Sequence, residues 1–219
     1  MNTYRLYLVT DQQQDLTTLI NVVKAAVAGG VSMVQVREKS DDIQSFITRA
    51  LAIKEVLQGS EVPLIINDRV DVALAVDADG VHLGQSDMPA HIARRLIGPN
   101  KLLGLSIENE QQLIEANQLP LDYIGLSAIF STPTKTNIKK QWGIDGLQKA
   151  LKISRFPVVA IGGINQTNLQ EIIQTGVDGI ALVSAICHAQ DPQQTTSNLL
   201  LQIEKASLNK PTNKINLNT

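Results

Sequence analysis

Eight short apolar runs recur along the chain, and a segment long enough for a helix separates each run from the next. Several are unbroken runs of valine, isoleucine and leucine, which is typical of strands buried on both faces. Such strands alternating with helices predict a closed parallel sheet, so we expect an α/β fold with a single (β/α)8 TIM barrel. The predicted strands are Leu6–Thr10, Met33–Arg37, Leu64–Asn67, Gly80–Leu83, Leu102–Leu105, Tyr123–Leu126, Val158–Ile161 and Gly179–Val183.

Composition limits the domain count and the class of partner. The 219 residues, 43% of them hydrophobic, predict one barrel domain over residues 1–208 and a disordered polar tail over 209–219. A net charge of −2 and an aromatic content of 3% argue against a nucleic-acid partner. We expect no membrane span and no signal peptide, and we expect the one cysteine, Cys187, to be buried. The predicted location is the cytoplasm, and the oligomeric state is left open.

Two cations follow the second predicted strand, at the edge of the barrel where enzymes of this architecture do their chemistry. Arg37 and Lys39 lie two residues apart, so an extended chain would turn both side chains to one side. The arginine fork and the lysine ammonium together can hold a diphosphate. The alternative is a solvated surface pair near Glu38 and Asp41.

Two carboxylates follow the third and fourth predicted strands. Asp68 and Asp87 are far apart in sequence, but neighbouring strands would bring them together. Mg²⁺ is usually held by one or two carboxylates while substrate phosphates complete its shell, which makes the pair candidate metal ligands. Asn67, beside Asp68, could donate to and accept from a heterocycle. The alternative is that the two aspartates cap the helices beginning near Val70 and Pro89.

A second anion site is predicted where the seventh and eighth strands end. Gly162 and Gly163 follow one strand, and Val183 and Ser184 end the other. Backbone amides after these two strands of a TIM barrel commonly bind one phosphate, and glycine lets the backbone come close. The alternative is that the glycine pair only makes a tight turn.

The segment 131–143 is long for a connection in a compact barrel, so it is predicted to be a functional loop or lid. It begins with Thr132, Pro133, Thr134 and Lys135, whose two hydroxyls and one cation could close over a ligand. The alternative is a solvated loop with a turn at Thr132-Pro133. His82, by contrast, is expected to be a packed or hydrogen-bonded residue of the core.

Taken in order, these motifs resemble those of the thiamine phosphate synthase family, from about Tyr4 to Gln190. The family usually has Gly-Pro where Ser127-Ala128 stands here, and a related thiazole tautomerase places a histidine in that neighbourhood, where this chain has none. The matching segments are Gln35–Lys39, Asn67–Arg69, His82–Asp87, Gly104–Ser106, Thr132–Lys135, Ile161–Ile164 and Val183-Ser184.

The resemblance implies a transferase that joins a hydroxymethylpyrimidine diphosphate to a thiazole phosphate, or to its carboxylated form, and releases pyrophosphate. It also implies a dissociative reaction, in which pyrophosphate leaves before the thiazole nitrogen attacks the pyrimidine-methyl cation. Mg²⁺ would bind Asp68 and Asp87, and the catalytic cations would be Arg37, Lys39 and Lys135. The alternatives are the tautomerase and a non-catalytic barrel that binds a phosphorylated ligand. The implied substrate-binding residues are Gln35, Val36, Arg37, Glu38, Lys39, Asn67, Ser106, Thr132, Pro133, Thr134, Lys135, Gly162, Gly163, Val183 and Ser184.

Overall fold

Eight parallel strands pair in chain order and close into a barrel, because the last strand pairs with the first as well as with the seventh. The computed structural model describes residues 3–40, 42–132 and 141–208. The predicted (β/α)8 TIM barrel is confirmed. The strands are β1 (Leu6–Val9), β2 (Met33–Val36), β3 (Leu64–Asn67), β4 (Gly80–Leu83), β5 (Leu102–Ile107), β6 (Tyr123–Ser127), β7 (Val158–Ile161) and β8 (Gly179–Leu182).

Helices follow every strand, as the crossover between parallel strands requires. No helix in the described ranges is long and apolar enough to cross a membrane. The helices are α1 (Leu16–Ala28), α2 (Ile43–Leu57), α3 (Val70–Ala75), α4 (Ala90–Ile97), α5 (Glu110–Ala116), α6 (Gly143–Ile153), α7 (Leu169–Gln174), α8 (Ser184–Cys187) and α9 (Pro192–Leu208).

The start and end of α1 show how the sequence sets the helix boundaries. The Asp15 side chain accepts a hydrogen bond from the Thr18 N–H, which satisfies one of the free donors at the helix start. After the helix, Gly30 has φ of +98°, a conformation that favours glycine. Asp42 caps α2 in the same way, through the Ser45 N–H.

The core has two layers, because successive side chains of a strand point to opposite faces of the sheet. Leu6 and Leu8 of β1 pack outwards against the helices, while Tyr7 and Val9 point into the barrel. Cys187 is buried in the outer layer, as predicted. The residues that fill the barrel interior are Tyr7, Val9, Met33, Ile65, Tyr123, Val159 and Ala181.

Candidate active site

A cavity of about 970 Å³ opens where the strands end, and all eight strands contribute to its lining. A volume of this size lies at the upper end of the range for small-molecule sites and has room for two ligands. The candidate residues that line it are Gln35, Arg37, Lys39, Asn67, Asp68, Asp87, Ser106, Thr132, Gly162, Gly163, Val183 and Ser184.

Some candidate residues lie elsewhere. The side chain of Val36 is buried in the outer core layer, since the alternation along β2 turns it away from the cavity. The Glu38 side chain also points away and pairs with Arg49 on α2. Neither side chain lines the cavity, so side-chain contacts to a substrate are not supported for these two residues, and their place in the substrate-binding segment stays a prediction. Pro133, Thr134 and Lys135 lie outside the described residues, so their role stays a prediction.

Asp68 and Asp87 meet in the cavity. Asp68 follows β3 with φ of +62°, and its Oδ2 accepts a hydrogen bond from Nζ of Lys39. Oδ2 of Asp87 accepts from the Gly84 N–H at 2.7 Å. Burial, and then a hydrogen bond with Asp68, raises the pKa of Asp87 above that of an ordinary aspartate. The two carboxyl groups therefore lie near each other in the cavity.

The capping alternative for these two aspartates is wrong. Arg69 and Pro89 occupy the positions before α3 and α4, and neither helix start receives a side-chain hydrogen bond. Converging carboxylate oxygens beside a cavity fit a hard divalent cation, provided that ligand oxygens and water complete its shell. No group of three or more His, Cys, Asp or Glu residues in the described part of the chain could hold a metal by itself. The donor set thus fits Mg²⁺ bound jointly by protein and phosphate.

Arg37 and Lys39 supply positive charge next to this pair. Backbone hydrogen bonds fix both residues, from the Arg37 N–H to Oγ1 of Thr10 at 3.0 Å and from the Lys39 N–H to Oε1 of Gln12 at 2.8 Å. Within the described ranges no carboxylate forms an ion pair with Arg37, so its guanidinium is available to an anionic ligand. Both cations line the cavity and Glu38 is engaged with Arg49, which favours the anion site over a solvated surface pair near Glu38 and Asp41; Asp41 lies outside the described residues.

The ion pair between Glu38 and Arg49 anchors the segment that carries both cations. Nε of Arg49 lies 2.7 Å from Oε1 of Glu38, and the side chains are only 10% and 8% exposed. Burial raises the pKa of Glu38, while the Arg49 hydrogen bond opposes that rise. The alternation along this short extended stretch therefore sends two positive side chains to the cavity and one negative side chain to α2.

Removing one partner of this buried pair is expected to destabilise the fold. Arg49→Leu should lower the free energy of unfolding by about 3–5 kcal/mol, because Glu38 would remain buried without its partner. The double variant Glu38→Leu/Arg49→Leu should recover most of that loss. Urea denaturation measures both values. Lys149→Ala, which breaks an exposed pair with Glu110, is the control and should change stability by less than about 1 kcal/mol. Equal effects of the buried and exposed substitutions would contradict the anchoring role.

The opposite side of the cavity is made of backbone. Gly162 and Gly163, after β7, have φ of +99° and +68°. A Cβ at Gly162 would lie 2.6 Å from Cβ of Ala128, and one at Gly163 would lie 2.8 Å from Cβ of Phe130. The glycines therefore let the chain after β6 pass close to their own backbone, and their positive φ angles are compatible with a tight turn. It does not exclude phosphate binding, because both glycines line the cavity together with Ser184.

Sequence reasoning missed the floor of the cavity. Tyr7 and Tyr123 point into the barrel and are joined through their hydroxyls, and His82 joins them to Ser106. His82 is thus a hydrogen-bonded core residue, as predicted, but it also lines the cavity. The sequence did contain one signal for this floor, because side-chain alternation along β1 and β6 places both tyrosines at inward positions. Nδ2 of Asn67 is buried in the described structure with no hydrogen-bond partner, which leaves its two N–H donors for a ligand.

Comparison with known proteins places these features in a family context. A sequence-family model described as thiamine monophosphate synthase matches residues 6–186. A thiamine-phosphate synthase of Vibrio campbellii is 70% identical over 200 residues, covering 91% of this chain and 98% of the relative. Another, of Methanobrevibacter smithii, is 46% identical and covers 91% and 95%.

Solved structures give the same picture. A thiamine phosphate pyrophosphorylase from Pyrococcus furiosus superposes with a TM-score of 0.84 at 35% identity, covering 94% of this chain and 98% of that one. A 3-hexulose-6-phosphate synthase from Salmonella typhimurium superposes with a TM-score of 0.69 at 18% identity, covering 90% and 99%. At that identity the second likeness concerns the fold alone.

Proposed function

Since the chain belongs to the thiamine monophosphate synthase family, we propose that its cavity binds a pyrimidine diphosphate and a thiazole phosphate and joins them. The protein is an enzyme of the transferase class, and the product of the condensation is thiamine phosphate, with pyrophosphate released. The proposed substrates are 4-amino-2-methyl-5-(diphosphooxymethyl)pyrimidine and 4-methyl-5-(2-phosphoethyl)thiazole or its carboxylated form, from which CO2 would also be released.

One observation carries the proposal: a single cavity holds a cluster of charged residues on one side and glycine-rich backbone on the other. Arg37, Lys39, Asp68 and Asp87 belong to the first side, which suits a diphosphate with its counter-ion. The chain after β7 and the start of α8 form the second side, which suits a monophosphate held by backbone amides. The space between them is where the two heterocycles would meet.

We further propose that Asp68 and Asp87 hold one Mg²⁺. When bound, the ion would supply positive charge to the diphosphate as it departs. Lys39, hydrogen-bonded to Asp68, keeps the carboxylate in position. Arg37, which lines the same cavity, would bind the diphosphate oxygens through its planar fork. Lys135, which is outside the described residues, is proposed as a third cation on the leaving group.

The remaining polar groups would bind and orient the substrates. Asn67, with its unpartnered amide nitrogen, and Gln35 and Ser106 at the cavity floor are proposed to orient the pyrimidine or its diphosphate. Backbone amides at Gly162, Gly163, Val183 and Ser184 are proposed to hold the thiazole phosphate, and Thr132 and the loop after it to close over both ligands.

Orientation and charge stabilisation suffice for a dissociative reaction. Pyrophosphate would leave first, and the thiazole nitrogen would then attack the pyrimidine-methyl cation. The chain needs no activated nucleophile for this, because its task is to stabilise departing negative charge and fix geometry. The buried Cys187, whose pKa burial raises to about 12, is no candidate nucleophile. A lone buried thiol also suits a reducing compartment, and the cytoplasm stays the proposed location.

The two other functions have less support. A thiazole tautomerase does not need a diphosphate site. This cavity, in contrast, has a carboxylate pair and two cations that follow β2, β3 and β4. A barrel that only binds one phosphorylated ligand does not need two anion sites in one cavity. High identity to thiamine-phosphate synthases over most of both chains also favours the transferase.

The decisive assay combines the purified protein with both substrates and Mg²⁺. Thiamine phosphate and pyrophosphate are expected in equal amounts, and their formation should stop when a chelator removes the metal. Chromatography of the product and a coupled pyrophosphate assay measure the two independently. Isomerisation of the thiazole phosphate without pyrophosphate release would identify a tautomerase, and binding without turnover would identify a non-catalytic barrel.

A further inference from the structure

A continuous chain of hydrogen bonds crosses the floor of the cavity inside the barrel. Nε2 of Gln35 donates to the Tyr7 hydroxyl at 2.6 Å, and the Tyr7 and Tyr123 hydroxyls are 3.0 Å apart. The Tyr123 hydroxyl lies 3.0 Å from Nδ1 of His82, and Nε2 of His82 lies 2.9 Å from Oγ of Ser106. Both ends of this chain, Gln35 on β2 and Ser106 on β5, line the cavity.

Two glycines inside the barrel leave the space that this hydrogen-bond chain occupies. A Cβ at Gly104 would lie within 2.6 Å of the Tyr123 ring, and a Cβ at Gly125 would lie 3.1 Å from Cε1 of His82. The rings of His82 and Tyr123 are 5.4 Å apart between centroids. Glycine on β5 and on β6 therefore permits the imidazole and the phenol to fit inside the barrel.

The order of the protons along the chain follows from hydrogen-bond satisfaction. Tyr7 accepts from Gln35, so its own proton goes to Tyr123, and Tyr123 then donates to Nδ1 of His82. If Tyr123 instead donated to Tyr7, the Tyr7 proton would have no acceptor among the described residues, in a side chain that is 2% exposed. An unsatisfied buried donor is costly, which selects the first order.

This order fixes what each end of the chain offers to a ligand. With Nδ1 accepting from Tyr123, the neutral imidazole carries its proton on Nε2 and donates to Ser106. Ser106 then keeps its own proton for a ligand acceptor. At the other end one N–H of the Gln35 amide is held by Tyr7, which fixes the orientation of the amide and of its carbonyl oxygen, an acceptor. The phenols hold their protons throughout, because burial raises the pKa of both Tyr7 and Tyr123.

We propose that Tyr123 is a positioning residue for the reaction: with Tyr7 it orders a hydrogen-bond chain so that Gln35 presents an acceptor and Ser106 a donor to the pyrimidine. An aminopyrimidine carries a donor, its exocyclic amine, and acceptors, its ring nitrogens, so it needs one group of each kind. The proposal rests on the proposed function for the identity of the ligand. The tautomer of His82, in contrast, is a property of the free protein.

The first test is nitrogen NMR of the ligand-free protein with labelled histidine. The chain has three histidines, and His91→Gln and His188→Gln, both at exposed positions, assign the other two signals by their loss. His82 is expected as the pure Nε2–H tautomer in the wild type and in Tyr7→Phe, where Tyr123 still donates to Nδ1. In Tyr123→Phe that donor is gone, and a mixture of tautomers is expected. An Nδ1–H wild type, or an unchanged tautomer in Tyr123→Phe, would overturn the proposal.

The second test is kinetic. Tyr123→Phe should lower kcat/KM for the pyrimidine diphosphate by about 10–100-fold, since a buried network loses one member. The KM for the thiazole phosphate should not change. Tyr4→Phe is the matched control, because its ring centroid lies 5.1 Å from that of Tyr123 and its hydroxyl donates to the backbone oxygen of Asp122 at 3.5 Å. Parallel losses for both substrates would indicate a purely structural role and refute positioning.

A pair of His82 variants keeps the proposal testable even if Tyr123→Phe does not fold. In His82→Gln the amide nitrogen reaches the position of Nε2 and can still donate to Ser106. In His82→Asn the amide nitrogen falls at the position of Nδ1. Higher activity is expected for His82→Gln, and the reverse ranking would overturn the proposal. If the wild-type protein made no thiamine phosphate, the proposed function would fail, while the NMR measurement would still decide the proton order.

Discussion

Asp68→Asn and Asp87→Asn are each expected to lower turnover by about 100–1000-fold, the range for losing one preorganised electrostatic group. The reason is that both carboxylates converge on one point of the cavity next to Lys39, and a neutral amide there would weaken the binding of a divalent cation. The concentration of Mg²⁺ needed for half-maximal rate should rise in both variants. Initial rates over a Mg²⁺ titration measure the two effects together.

A neighbouring aspartate provides the control for this experiment. Asp71, at the start of α3, pairs with Arg69 and does not line the cavity. Asp71→Asn should therefore leave the Mg²⁺ requirement unchanged. Binding of Mn²⁺ in the presence of pyrophosphate, followed by electron paramagnetic resonance, gives a readout that does not depend on turnover. A normal metal requirement in both site variants would remove Asp68 and Asp87 from the metal site.

Arg37→Met is expected to lower kcat/KM for the pyrimidine diphosphate by about 10–100-fold, as for the loss of a charge-assisted hydrogen-bond donor. Methionine keeps much of the side-chain length but removes the charge and the fork. The KM for the thiazole phosphate should stay near its normal value, because Arg37 lies on the side of the cavity opposite the glycines of β7. Pyrophosphate should also become a weaker inhibitor.

Two further variants separate charge from geometry at this position. Arg37→Lys keeps the positive charge without the planar fork, so it should recover only part of the lost activity. Arg95→Met makes the same change at an exposed position of α4 and should have no kinetic effect. Initial rates measured while each substrate is varied in turn test the prediction. Equal increases in both KM values for Arg37→Met would speak against a specific contact with the diphosphate.

The strands were predictable because parallel strands buried on both faces leave unbroken apolar runs in the sequence. The observed ends differ from the predicted ones by only one or two residues, and β5 and β6 extend further than predicted, to Ile107 and Ser127. The location of the charged clusters was predictable for a related reason. A closed parallel barrel brings all strand ends to one face, so Asp68 and Asp87 had to approach each other.

The motifs did not indicate where individual side chains point. Val36 and Glu38 were assigned to the site because they fall inside a matching motif, but alternation along the chain turns both away from the cavity. The hydrogen-bond chain through Tyr7 and Tyr123 could not be derived from local sequence, since its members come from five different strands. Their pairing depends on strand register across the barrel, which no local pattern reveals.

Charges alternate along the run Arg37-Glu38-Lys39. The sign of the charge presented at the cavity entrance therefore depends on the length of the chain between β2 and this run. At present the first and third side chains face the cavity and the second is held by α2. Deleting or inserting one residue before Arg37 would exchange these directions and present one carboxylate in place of two cations. A change of two residues would preserve the alternation. Anion recognition therefore depends on whether an odd or an even number of residues separates β2 from the charged run, as much as on the identity of the charges themselves.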